Sequence, residues 1–170
     1  MFTQTLTQYA QNINPVALHD KLLSYHEYTG AFGEDYIVRL LRTSGFFARK
    51  ASNLLFSGDI ECIDTETGEI LKIEVKTSNE NPYTGRFQFC LKKPGHTDCT
   101  YSDFVILVCI DKNGKIYLYI AAPSCFDGAK KITISSHPTK YRGKYAAFLY
   151  RKPTIDFNDV CAAVRLWSGL

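Results

Sequence analysis

Long apolar runs are scarce in this chain of 170 residues, the longest uncharged one being Phe104 to Ile110. A bilayer-spanning helix needs about 20 such residues, so no membrane association is expected. The opening Met1-Phe2-Thr3-Gln4-Thr5 has neither a basic nor an apolar region, so no secretion signal is read and a cytoplasmic protein is expected. The six cysteines include no C-x-x-C pair. Cys62, Cys90, Cys109 and Cys161 fall in segments that read as strand or helix, where a free thiol packs as a small apolar residue. Only Cys90, His96 and Cys99 form a local group, and three ligands at that spacing match no familiar zinc site. G-x-S-x-G, Walker A and Rossmann fingerprints are absent as well.

Acidic residues are missing from 128–152, where Lys130, Lys131, Lys140, Arg142, Lys144, Arg151 and Lys152 give a local charge of +7. The other 13 basic residues face all 17 acidic ones, so the net +3 hides an asymmetry. Basic residues interleaved with Tyr141, Tyr145 and Tyr150 suit a phosphate backbone, although a solvated loop between strands has the same composition.

Hydrophobic residues make up 45% of the chain. At this length they can form one core without a disulfide or a structural metal, so a single domain over 1–170 is expected. Its core covers about 15–121, followed by the basic segment 128–152 and a helix over about 157–168 with Val160, Ala163, Val164 and Trp167 on one stripe. A first helix is predicted from about Pro15 to Tyr28 and a second from Thr29–Ala31 to Thr43, with Gly45 past its end. Strands are predicted at 59–63, 70–76, 86–91, 104–110 and 116–121, and at 145–150. Helices, a meander of strands and a closing helix make an α/β or α+β arrangement, a mixed sheet flanked by helices.

The most informative stretch is Gly58-Asp59-Ile60-Glu61, followed after the Thr65–Gly68 turn by Ile73-Glu74-Val75-Lys76. Alternation puts Leu71, Ile73 and Val75 on one face and Lys72, Glu74 and Lys76 on the other. A hairpin turning about Glu66-Thr67 sets Asp59 opposite Glu74, or within one residue of it. Two facing acids repel, and a hard cation such as Mg²⁺ turns that liability into a site. Glu34 stands with Ile37, Val38 and Leu41 at i, i+3, i+4 and i+7, on the apolar stripe of the second helix. A carboxylate there needs a partner, which a metal, its water or Lys76 would supply, whereas Asp35 and Arg39 belong to the outer face. The bland alternative makes Glu74 and Lys76 solvated residues on the open face of an antiparallel sheet.

On Gly33-Glu34, Gly45-Phe46, Gly58-Asp59-Ile60 and Glu74-Val75-Lys76, the sequence resembles the PD-(D/E)XK nuclease superfamily, the restriction-endonuclease-like fold of restriction and homing endonucleases and Holliday-junction resolvases. Gly58 stands where the motif has proline. The resemblance implies a restriction-endonuclease-like α/β fold with additional C-terminal strands and helix. It implies that Asp59, Glu74 and the Val75 carbonyl bind Mg²⁺, with Mn²⁺ able to substitute. It further implies that Lys76 is the catalytic lysine and that Glu34 assists metal or water.

The expected activity is Mg²⁺-dependent DNA endonuclease, site-specific in the restriction or homing manner. A junction resolvase and a non-catalytic DNA-binding protein of the same fold are the alternatives. Double-stranded or branched DNA is the expected partner. Cutting both strands implies a homodimer or higher homo-oligomer. Arg86, Gln88 and Lys92, on one strand face opposite Phe87, Phe89 and Leu91, are candidate DNA contacts, Arg and Gln being residues that read base edges. Lys130, Lys131, Lys140, Arg142 and Lys144 are candidate phosphate contacts.

Overall fold

A computed structural model of the chain describes residues 25–51, 58–65, 67–91, 102–126, 129–136 and 145–152. Helix α1 (Tyr25–Thr43) precedes eight strands: β1 (Phe47–Lys50), β2 (Ile60–Ile63), β3 (Ile70–Asn79), β4 (Arg86–Cys90), β5 (Phe104–Ile110), β6 (Ile116–Ala121), β7 (Lys131–Ser135) and β8 (Leu149–Tyr150). The first predicted helix and the C-terminal helix lie outside the described residues except at Tyr25–Tyr28, which belong to α1 without a break. Helix α1 ends as its sequence predicts. Gly45 takes φ +95°, Phe46 N–H donates to the Leu41 carbonyl, Gly45 N–H donates to that of Arg42, and Phe46 packs on the core.

Six strands form one mixed sheet in the order β1-β2-β3-β5-β6-β8, and β4 pairs with β7 in a separate two-stranded ribbon. The simple meander is therefore corrected: β4 leaves the sheet, and β5 runs parallel to β3, with Ile73 facing Phe104. Strand β5 is buried at all seven positions, as its apolar run predicts. Residues 145–150 are not one strand, because a 3₁₀ turn (Ala146–Phe148) precedes the two residues of β8.

Alternation along β3 and β5 divides the core in two. Phe32, Ile37, Val38 and Leu41 of α1 pack with Leu71, Ile73, Val75, Ile106 and Val108. On the other side, Phe87, Phe89, Ile132 and Ile134 of the ribbon pack with Val105, Leu107 and Cys109. A two-stranded ribbon is marginal alone, but burial of each of these side chains stabilises it by about 1.5–3 kcal/mol. Cys62, Cys90, Cys109 and Cys125 are free thiols among the described residues. Burial pushes the Cys62 thiol up to about 12. Cys90 departs from the expected packing role, since the β4 alternation turns it outward and leaves it exposed.

No helix among the described residues is long and apolar enough to cross a membrane.

Candidate active site

The β2–β3 hairpin has the register that its turn predicts. Ile60 faces Ile73 and Glu61 faces Lys72, so the next pair outward is Asp59 with Glu74. Asp59 N–H donates to the Ile73 carbonyl at 2.9 Å, and its carboxylate Oδ2 accepts from Val75 N–H at 2.8 Å. That second bond replaces a ladder bond where β2 begins, and it fixes the acid at the edge of β3. Because the N–H and C=O of a strand residue point to the same side, the Val75 carbonyl is aimed at the same edge. Gly58 adopts φ +138°, where only glycine is unstrained and proline is impossible, and a Cβ there would meet the Ile73 backbone at 3.3 Å. The departure from the motif's proline is thus a feature of the backbone path itself.

Glu74 and Lys76 form an ion pair, their side chains 18% and 15% exposed. Solvated residues on an open sheet would be far more exposed, so the bland alternative for this pair is wrong. The ribbon packs against that face of the sheet, where Gln88 N–H donates to Ser78 Oγ of β3 at 3.1 Å.

Glu34 does lie on the stripe that α1 turns toward the sheet, but its ion-pair partner is Lys50, not Lys76. Lys50 Nζ stands 3.4 Å from Glu34 Oε2 and 2.6 Å from Asp35 Oδ1. The reason is the alternation of β3. Helix α1 covers the Leu71, Ile73 and Val75 face, while Lys76 points to the other, and Lys50 lies opposite Ile60 on the covered side. Asp35 is likewise no bystander, being half-buried against that same lysine. Burial and then the Asp59 charge raise the Glu34 pKa above its usual 4.5, and Lys50 acts against both. Burial lowers the Lys50 pKa, but Asp35 and Glu34 outweigh it and the net shift is upward.

A cleft of about 880 Å³ joins these parts, lined by Glu34, Asp59, Val75 and Lys76 together with Arg86, Gln88 and Lys131 from the ribbon. Glu74 borders it through Lys76 without lining it. Lys130 is exposed away from the cleft, its carbonyl accepting from Leu91 N–H. Lys92, Lys140, Arg142 and Lys144 lie outside the described residues, as do His96 and Cys99 of the candidate zinc group. Lys50 had no signal in the local sequence, because its position depends on which strands pair. Lys131 was legible as a charge, yet its place in the cleft depends on β7.

The α1–β3 contact that brings Glu34 to the cleft is unusually close. A Cβ on Gly33 would fall 1.8 Å from Thr77 Oγ1, so only glycine fits at this crossing. Thr77 Oγ1 is also the one buried side-chain oxygen without a hydrogen-bond partner among the described residues.

Comparison with solved structures bears on the fold. I-Ssp6803I, a bacterial homing endonuclease, superposes on 75% of the chain and 88% of its own length at a TM-score of 0.58, with 17% sequence identity. The chain has the restriction-endonuclease-like nuclease fold. Hjc, a Holliday junction resolvase from Archaeoglobus fulgidus, aligns with 78% of the chain and 95% of its own length at 13% identity and a TM-score of 0.46. No family model and no curated protein matches the chain.

Within this nuclease fold the donor set fits a hard divalent cation. Among the described residues no three His, Cys, Asp or Glu side chains cluster as a ready-made cage. Mg²⁺ does not require one, since it is held by one or two carboxylates and keeps several waters. Asp59, its register partner Glu74 and the Val75 carbonyl supply oxygens of that kind, and the mutual repulsion of Glu34 and Asp59 is what a cation would relieve.

Proposed function

We propose that the protein is a divalent-metal-dependent DNA endonuclease, site-specific in the restriction or homing manner and acting as a homodimer. The observation that carries this reading is the Asp59 carboxylate held on the N–H of Val75, the residue between the paired Glu74 and Lys76, in a cleft lined by Asp59, Lys76 and Glu34. Asp59, Glu74 and the Val75 carbonyl would hold Mg²⁺, with Glu34 as an additional carboxylate. Bound there, the metal supplies Lewis-acid stabilisation of the phosphate and lowers the pKa of water.

The chain's own groups do the rest. Lys76 orients the attacking water and offsets negative charge that grows on the phosphate oxygens. Glu34, kept basic enough by burial to take a proton, assists that water from the α1 side of the cleft. The water oxygen bonds to phosphorus as the P–O3′ bond opposite it breaks, and O3′ takes a proton from solvent, which leaves a 5′-phosphate and a 3′-hydroxyl. A single cleft cuts one strand, so a double-strand break calls for two copies.

Supercoiled plasmid incubated with Mg²⁺ tests the proposal. Wild type nicks or linearises it, EDTA abolishes the reaction and Asp59→Ala abolishes it with Mg²⁺ present. Wild type that binds DNA without cutting supercoiled, branched or single-stranded substrates would leave a binding module of nuclease fold instead.

A further inference from the structure

The β4–β7 ribbon presents three cross-strand rows on its outward face: Arg86 with Ser135, Gln88 with Thr133, and Cys90 with Lys131. Both strands alternate exposed and buried, so these six side chains share one face and no acid is among them. Arg86, Gln88, Cys90 and Lys131 line the same cleft as Asp59 and Lys76. Behind them Phe87, Phe89, Ile132 and Ile134 are almost completely buried, which makes the ribbon a rigid plate. Its ends are tied too: Ser136 N–H donates to the Gly85 carbonyl at 2.9 Å and Leu91 N–H to that of Lys130 at 3.1 Å.

We propose that this ribbon is the sequence-reading element of the protein, lying in the major groove of B-form DNA with Arg86, Gln88 and Thr133 on base edges and Lys131 on a phosphate. The proposal rests on the endonuclease reading above and adds where specificity resides. A two-stranded ribbon, its strands about 4.8 Å apart, fits a groove about 12 Å wide. Same-face residues along a strand stand about 7 Å apart, which matches two base-pair steps of about 3.4 Å each. Three rows therefore sample about four steps, and each row has a residue type with a preferred base edge or phosphate. The plate is already ordered, so little conformational entropy is lost on docking. A-form RNA closes the groove that such a ribbon needs, which directs the proposal to DNA duplex.

The test is a cleavage-preference profile over duplexes of randomised sequence, run with Mg²⁺ on wild type, Arg86→Ala, Gln88→Ala and Thr133→Val. The last of these keeps the strand-forming shape and removes only the hydroxyl. Each variant should relax preference at its own one or two adjacent positions by roughly 5- to 150-fold and leave distant positions as in wild type. Variant profiles identical to wild type would overturn the ribbon proposal and leave the whole endonuclease reading in place. A wild type that cuts without preference, or that cuts duplex RNA equally, would overturn it and leave metal-dependent cleavage without its site specificity or its restriction to DNA. Wild type that neither binds nor cuts any DNA would remove both.

Discussion

In the region built from α1 and β1–β3, four acidic side chains come with basic partners, Glu34 and Asp35 with Lys50, Glu61 with Arg49, and Glu74 with Lys76, while Asp59 is held by the Val75 N–H. The outward face of the β4–β7 ribbon has Arg86 and Lys131, three polar side chains, one thiol and no acid at all. The first region holds its charges in fixed geometry at partial exposure, where a carboxylate is costly unless matched. The second leaves its positive charge at the surface, where an external polyanion can meet it. Chemistry and recognition would then fail separately, and the following substitutions are chosen to find out whether they do.

The largest separation is expected at Lys76. Under single-turnover conditions Lys76→Ala should cut at least roughly 10²-fold more slowly, a loss typical of removing one group that stabilises transition-state charge. DNA affinity, measured by fluorescence anisotropy in Ca²⁺, should stay within a few-fold of wild type. Parallel losses in rate and affinity would merge the two regions into one functional unit.

Gly33→Ala attacks the frame of the first region. Its Cβ would enter Thr77 Oγ1, and the overpacking should cost about 1–3 kcal/mol in urea unfolding. Thr77→Ala in the same chain should recover part of the loss, since it removes the atom at 1.8 Å and leaves the Thr77 Cβ at 3.0 Å. Equal stability of the single and double variants would show that α1 and β3 can move apart at that point.

How the two regions were legible in the sequence differs for related reasons. The hairpin of the first region is local: a turn at 64–68 and strict alternation determine its register, so Asp59, Glu74 and Lys76 could be brought together from spacing alone. The partner of Glu34 could not, because Lys50 reaches it only through the pairing of β1 with β2, and β1 has just four residues. In the second region β4 was readable from the alternation of Arg86 to Leu91, but β7 was hidden in a basic segment. Its signal, Ile132-Thr133-Ile134 between polar neighbours, is a period-2 pattern with three β-branched residues, and the surrounding charge obscured it. The pairing of β4 with β7 spans more than forty residues of chain, which no local rule specifies.

Glu34 offers a test by pH. Burial and Asp59 raise its pKa in the folded state, so just above the usual carboxylate value of 4.5 the folded protein binds more protons at this site than the unfolded chain. Stability from this group therefore falls as pH rises from that value through the raised pKa, and is constant below it. In metal-free buffer with EDTA, the melting temperature of wild type relative to Glu34→Gln should decline over that window. A difference that is flat with pH would mean that Lys50 alone fully compensates the burial.

The smallest effect concerns the salt dependence of DNA binding, and it bears most directly on the contrast. Each phosphate contact lowers the slope of log K against log salt by about 0.9. Lys131→Gln should flatten that slope by roughly one such unit, because its charge lies on the outward face of the ribbon, which carries no acid of its own. Arg49→Gln removes a charge of the same sign that is already matched by Glu61 across the β1–β2 ladder, so its slope should equal that of wild type. Equal flattening by both substitutions would mean that DNA senses only the net charge of the protein, and the ribbon would lose its claim to a distinct electrostatic role.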